Sequence, residues 1–84
     1  MRIDQFLKKT LLLKQRQVAK DLCEKNFVKL NGKYAKPSKH VVVGDVIEIE
    51  TMKGLNKYRV LMLPQRNVKK NEVDMYYVEM ESQH

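Results

Sequence analysis

With 84 residues and a mass of 10.0 kDa, the chain can build one compact domain and has no room for two independently stable cores. Its hydrophobic fraction of 43% excludes a natively disordered chain even though 32% of the residues are charged. A formal net charge of +7 and a pI near 9.6 argue for a polyanionic partner, nucleic acid first, because cations placed near phosphates release condensed counterions.

Ile3, Phe6, Leu7, Thr10 and Leu11 recur at the spacing that lines one face of a helix, which predicts a first helix over about residues 3–9. The adjacent residues Leu11-Leu12-Leu13 break that pattern and read as a buried connection where the chain bends. Val18, Ala19, Leu22 and Cys23 restore helical spacing over about residues 15–25, closed by Lys25-Asn26, a cation near the negative helix end and a residue that tolerates left-handed geometry. From Phe27 the period changes to two, and Asn31-Gly32 is the dipeptide that best fits a two-residue type I′ hairpin. Lys36-Pro37-Ser38 interrupts the return strand, Val43-Gly44-Asp45 forms a turn, and the alternation of Val46 to Glu50 is a further strand. After a turn at Lys53-Gly54, Tyr58 to Leu63 supplies another strand, ended by Pro64. Residues 65–72 read as a polar surface segment, and Met75 to Val78 as a last strand or a short helix. The five Met residues read as core filler. The expected fold class is α+β: two N-terminal helices packed on a small, mostly antiparallel sheet.

The charge is unevenly placed. Residues 1–40 carry eleven Lys/Arg against Asp4, Asp21 and Glu24, a balance of +8, whereas residues 41–84 carry six against seven acids, a balance of −1. A solvated basic face with no partner is the ordinary alternative, but such a lopsided excess favours a binding surface in the first half. Arg16 and Lys20 lie four apart on the second helix and share a stripe, Lys14 adds charge at the bend, and Lys8 and Lys9 end the first helix nearby. Arg2 and Asp4 open the first helix, where a carboxylate suits the positive end of the dipole and can hold a guanidinium in place. Asp4 therefore reads as a positioning residue and not as a base. Such a surface grips phosphates without reading base edges.

At these residues the chain resembles a known family. Met1-Arg2-Ile3-Asp4-Gln5-Phe6-Leu7, Lys14-Gln15-Arg16-Gln17-Val18-Ala19-Lys20, Val28-Lys29-Leu30-Asn31-Gly32-Lys33, Lys36-Pro37-Ser38 and Val43-Gly44-Asp45-Val46-Ile47 are similar, in order and spacing, to the S-four RNA-binding domain. That likeness covers residues 1–50, implies the S-four fold with its alpha-L RNA-binding motif, and leaves residues 51–84 as a β extension packed on the same core. Arg2-x-Asp4 and the basic Lys14-Gln15-Arg16 look most like the short RqcP branch of the family and its relative, the fifteen-kilodalton heat-shock protein. The resemblance implies binding to large-subunit ribosomal RNA in quality control of stalled, obstructed subunits, with tRNA and an NFACT-family rescue protein as further candidate partners. It carries RNA contact onto Arg2 and Arg16, with Asp4 as orienting partner and Lys14 and Lys20 as neighbours. One departure is Asn26, where the family usually has Gly after the second helix.

No catalytic set, metal site or cofactor is expected. The two histidines are His40, beside a turn, and His84, the last residue, and neither has an evident catalytic partner. No Walker loop, paired-Cys zinc spacing or Gly-x-Ser-x-Gly elbow occurs. Cys23 is alone and spaced as a small core hydrophobe, not a reactive thiol. Phe27, Tyr34, Tyr76 and Tyr77 read as core or interface residues before base-stacking platforms. Neither a signal peptide nor a membrane span is legible, so a cytoplasmic protein, monomeric when free, is expected. A protein-interaction adaptor or a general ribosome-assembly factor would carry the same basic face. The adaptor predicts salt-insensitive association, and RNA binding predicts the opposite.

Overall fold

The computed structural model describes residues 1–80, so His84 lies outside the described residues. Two helices, α1 (Ile3–Lys9) and α2 (Arg16–Glu24), precede five strands: β1 (Val28–Leu30), β2 (Lys33–Tyr34), β3 (Val46–Thr51), β4 (Gly54–Val60) and β5 (Tyr77–Met80). The strands form one sheet in the order β2-β1-β3-β4-β5 with every neighbouring pair antiparallel. A short 3₁₀ helix, Lys70–Met75, leads into β5.

The core follows from two periodicities meeting. Ile3, Phe6 and Leu7 of α1 and Ala19 and Cys23 of α2 face Val28 and Leu30 of β1, Ile47 and Ile49 of β3 and Val60 of β4. Glu48 and Glu50 alternate with Ile47 and Ile49 and take the opposite face of β3. The sheet runs without a break through position 50, because β3 spans it and pairs along its whole length with β4.

Turn chemistry sets the register. Asn31 and Gly32 both have positive φ, 52° and 84°, as the mirror-image hairpin turn requires. Asn31 also donates from Nδ2 to Asp45 Oδ1 (3.0 Å), and its Oδ1 accepts from the Val46 amide (2.9 Å). Asp45 Oδ2 in turn accepts from the Val42 amide at 2.9 Å. These paired polar residues therefore clamp the hairpin to the turn before β3. The end of α2 is a Schellman closure: Asn26, at φ 64°, donates its amide to the Cys23 carbonyl, and Phe27 donates to the Leu22 carbonyl.

Several expectations are corrected. Leu11 is not buried; it is exposed, holds φ 64° and ends α1 in left-handed geometry, while Leu12 and Leu13 are half-buried against the core. Val18 is exposed and Leu22 only half-buried, so the inward face of α2 is narrower than its apolar spacing. None of the five methionines belongs to the buried core, and Met52, Met62 and Met75 are exposed. The strand expected over Tyr58 to Leu63 runs instead from Gly54 to Val60. Its start is set by the tight turn, which pairs Thr51 with Gly54, and its end by the Leu61 and Met62 amides turning to the Tyr76 carbonyl. Within the polar segment, Val68 is buried and its amide donates to the Lys9 carbonyl (2.9 Å), tying that segment to the end of α1.

Candidate RNA interface

A helix beginning with neither Ser, Thr, Asp nor Asn before it needs other partners for its first amides. Around α1 the loop before β3 supplies them. Ile3 donates to the Lys39 carbonyl (2.7 Å), Asp4 to the Pro37 carbonyl (3.3 Å), and Gln5 to the Asp4 carboxylate (Oδ1, 2.8 Å). Val41 donates back to the Met1 carbonyl (2.7 Å), and Arg2 bridges to His40. The start of the chain is therefore held in a fixed place beside residues 37–41, and Arg2 with it.

Asp4 is fully buried, yet its carboxylate is saturated. Arg2 donates from Nε to Oδ1 (3.2 Å) and from Nη2 to Oδ2 (3.1 Å), and Arg16 donates from Nε to Oδ2 (3.3 Å). A buried carboxylate without such partners would be expensive. Here one anion on α1 braces two cations, Arg2 just before that helix and Arg16 on α2, and leaves the cluster with a net positive charge. The two arginine side chains remain 40% and 42% exposed. Among the described residues Arg16 is engaged only through Nε, so both its terminal NH₂ groups remain donors there. Two pre-positioned, planar, outward-facing guanidiniums suit phosphate oxygens, since little side-chain freedom remains to be lost on binding.

Arg2, Asp4 and Arg16 thus converge. Lys20 lies one turn beyond Arg16 on the same stripe of α2, Lys14 is exposed in the inter-helix connection, and Lys8 and Lys9 occupy the last turn of α1. Among the described residues both ion pairs fall on Asp4, so none of these four lysines is paired with a carboxylate. Cys23 lies in the core behind them, and burial, with Asp4 and Glu24 adding to it, pushes its thiol up to about 11, which keeps it protonated and unreactive. Sequence reasoning did not place Lys36 and Lys39 beside the arginine cluster. The Lys36-Pro37-Ser38 segment was visible as a motif, but only the backbone bonds to α1 show that it lies against the start of that helix.

The S4 domain family model matches residues 1–47, the segment that holds every element of the cluster. The chain is also 44% identical over 77 residues to the RQC P-site tRNA stabilizing factor of Helicobacter pylori strain J99, covering 90% of this chain and 92% of that protein. The chain belongs to the S4 domain family, in the branch of the RQC P-site tRNA stabilizing factors. The factor of the same name from Streptococcus pneumoniae is 35% identical over 78 residues, covering 93% of this chain and 89% of the relative. Among solved structures, the trimeric heat shock protein 15 of Vibrio cholerae superposes with a TM-score of 0.88 at 26% identity, covering 95% of this chain and 81% of that one. A solution structure of a hypothetical protein superposes with a TM-score of 0.84 at 38% identity, covering 99% and 100%. The resemblance read from the five sequence segments and the α+β fold it implied are therefore both met in this S4-domain protein.

The matched S4 segment divides into two kinds of residue. Asn31, Gly44 and Asp45 build turns, whereas Arg2, Asp4 and Arg16 build the exposed cationic cluster. Among the described residues no group of three His, Cys, Asp or Glu is placed to hold a metal ion, and no helix is long and apolar enough to cross a membrane.

Proposed function

We propose that this protein binds the large ribosomal subunit through RNA and steadies P-site tRNA there during quality control of stalled, obstructed subunits. The observation that carries the reading is the pair of half-exposed arginines braced on one fully buried carboxylate across two helices. That construction spends a buried charge to orient two phosphate-binding groups, which a merely solvated basic face would not need. The relatives named RQC P-site tRNA stabilizing factors, matched over nine-tenths of this chain, supply the process.

In this reading Arg2 and Arg16 contact phosphates, Asp4 orients both, and Lys8, Lys9, Lys14 and Lys20 contribute point charges around them. The role is non-catalytic: holding, not bond-making. Ribosomal RNA is the principal partner, tRNA the second, and an NFACT-family protein a further one on the same subunit. The protein works as a monomer in the cytoplasm, where ribosomes are.

The test is sucrose-gradient sedimentation of tagged protein from cells, comparing wild type with Arg16→Ala and probing the large-subunit fraction for peptidyl-tRNA. Wild type should travel with obstructed large subunits, and Arg16→Ala should lose that association by roughly 1–3 kcal/mol. If both remain at the top of the gradient, the ribosomal reading fails and a protein-interaction adaptor takes its place.

A further inference from the structure

Beside the arginine cluster runs an open groove along the hairpin and the loop that caps α1. Lys33, Tyr34, Lys36, Lys39 and His40 line it, all exposed, and among the described residues no acidic one does. Its floor is held firmly. The Pro37 and Lys39 carbonyls accept from the first amides of α1, and Ala35 is buried with its amide bonded to the Val28 carbonyl. Across the Tyr34 ridge the character changes: a second hollow, also lined by Tyr34, contains Glu48 and Glu50. Tyr34 is 60% exposed, so of its two readings, core or interface side chain, the core one is corrected. Lys29 Nζ sits 4.9 Å from the centre of its ring.

Resting on the RNA reading above, we propose that this groove is a second RNA contact, carrying a phosphodiester strand over Lys33, Lys36 and Lys39 with Tyr34 as the apolar stop at its end. Lys33, Lys36 and Lys39 share the lining of this one groove, the last two brought together by a turn in which the Lys39 amide donates to the Lys36 carbonyl, and Arg2, joined to His40, makes the groove continuous with the helical cluster. The acid-free lining favours a polyanion, and the glutamates beyond Tyr34 mark where such a strand must leave the surface. With Lys29 against its ring, Tyr34 offers a rigid edge for a sugar or base at the exit.

The experiment measures binding of labelled full-length protein to isolated large ribosomal subunits across a salt series. It compares wild type, Lys36→Ala/Lys39→Ala, Tyr34→Ala, Arg16→Ala and the remote pair Lys53→Ala/Lys70→Ala. The groove pair should lose about tenfold in affinity at physiological salt and lower the slope of log affinity against log salt by about 1.5, since each lost phosphate contact removes roughly 0.7–0.9. Tyr34→Ala should lose about fivefold with the slope unchanged. The remote pair should stay within about twofold of wild type, and the substitutions at the exposed Tyr34, Lys36, Lys39, Lys53 and Lys70 should leave the thermal midpoint in place. If the groove pair and the remote pair change the slope equally, or if the groove pair binds like wild type while Arg16→Ala does not, the groove inference is overturned and the RNA reading survives. If Arg16→Ala also binds like wild type and wild-type binding is insensitive to salt, the RNA reading itself is overturned and the groove inference falls with it.

Discussion

The two halves of this protein use charge in opposite ways. In residues 1–40 one fully buried carboxylate, Asp4, gathers two arginines, and most of the lysines around it remain exposed or half-exposed. In the second half acids and bases face each other across the outer sheet face, as in the cross-strand pair Glu48 and Lys57, and Glu48 also faces Lys29 of the first half. The first pattern leaves positive charge uncompensated at the surface, and the second cancels it. The comparison teaches that an 84-residue chain can separate the work: β3 to β5 close the core, and α1, α2 and the loop before β3 present the cations.

That division can be broken experimentally. The largest effect should come from the closing half: Ile47→Ala removes a fully buried side chain and should destabilise by about 3–4 kcal/mol in denaturant unfolding, while leaving affinity for large subunits unchanged wherever the variant is folded. Loss of affinity in the folded variant would show that the halves are not separable. Asp4→Ala tests the opposite side, leaving two guanidiniums and the Gln5 amide without their acceptor. It should destabilise by about 2–4 kcal/mol and also weaken ribosome binding, the one substitution expected to do both. Unfolding and binding measured on the same preparation decide this.

Cys23 sharpens the comparison through pH. Its ordinary value is 9.0, and in the folded protein it is pushed up to about 11, so the folded state holds a proton that the unfolded state has released between those values. Its stabilising contribution is complete below about pH 9 and is lost as pH rises toward about 11, a fall of about 3 kcal/mol at most. Tyr58 and Tyr77, whose phenols are also raised chiefly by burial, act in the same direction at higher pH. Urea unfolding across this range should show a shallower decline for Cys23→Ala, and an identical decline would exclude the thiol as a contributor. Leu22→Ala, on the half-buried flank of α2, should cost only about 1 kcal/mol, well below a core truncation. The smallest effect is a gain: Leu11→Gly relieves a left-handed leucine and should stabilise by about 0.5 kcal/mol, read as a small rise in thermal midpoint.

Local patterns made much of this legible in advance. Helical spacing located α1 and α2, the period-two alternation located β3, and Asn31-Gly32 located the hairpin, because each depends on residues within a few positions of one another. Asp4 as a positioning residue was readable from its place in the first turn and from Arg2 two residues before it. The methionines illustrate the limit. Composition says that they are apolar, but whether an apolar side chain is covered depends on what crosses over it, and among the described residues nothing crosses over Met52, at the tip of the turn between β3 and β4.

By itself, then, the amino-acid order determined α1, α2, the hairpin, β3 and the concentration of positive charge in the first forty residues, since these are properties of periodicity and composition. Only the tertiary structure decided that Arg16 reaches a carboxylate twelve positions earlier, that residues 37–39 cap α1, and that Val68 anchors an otherwise polar segment. Those contacts depend on how the elements pack, and packing fixes distances between residues that no local spacing relates.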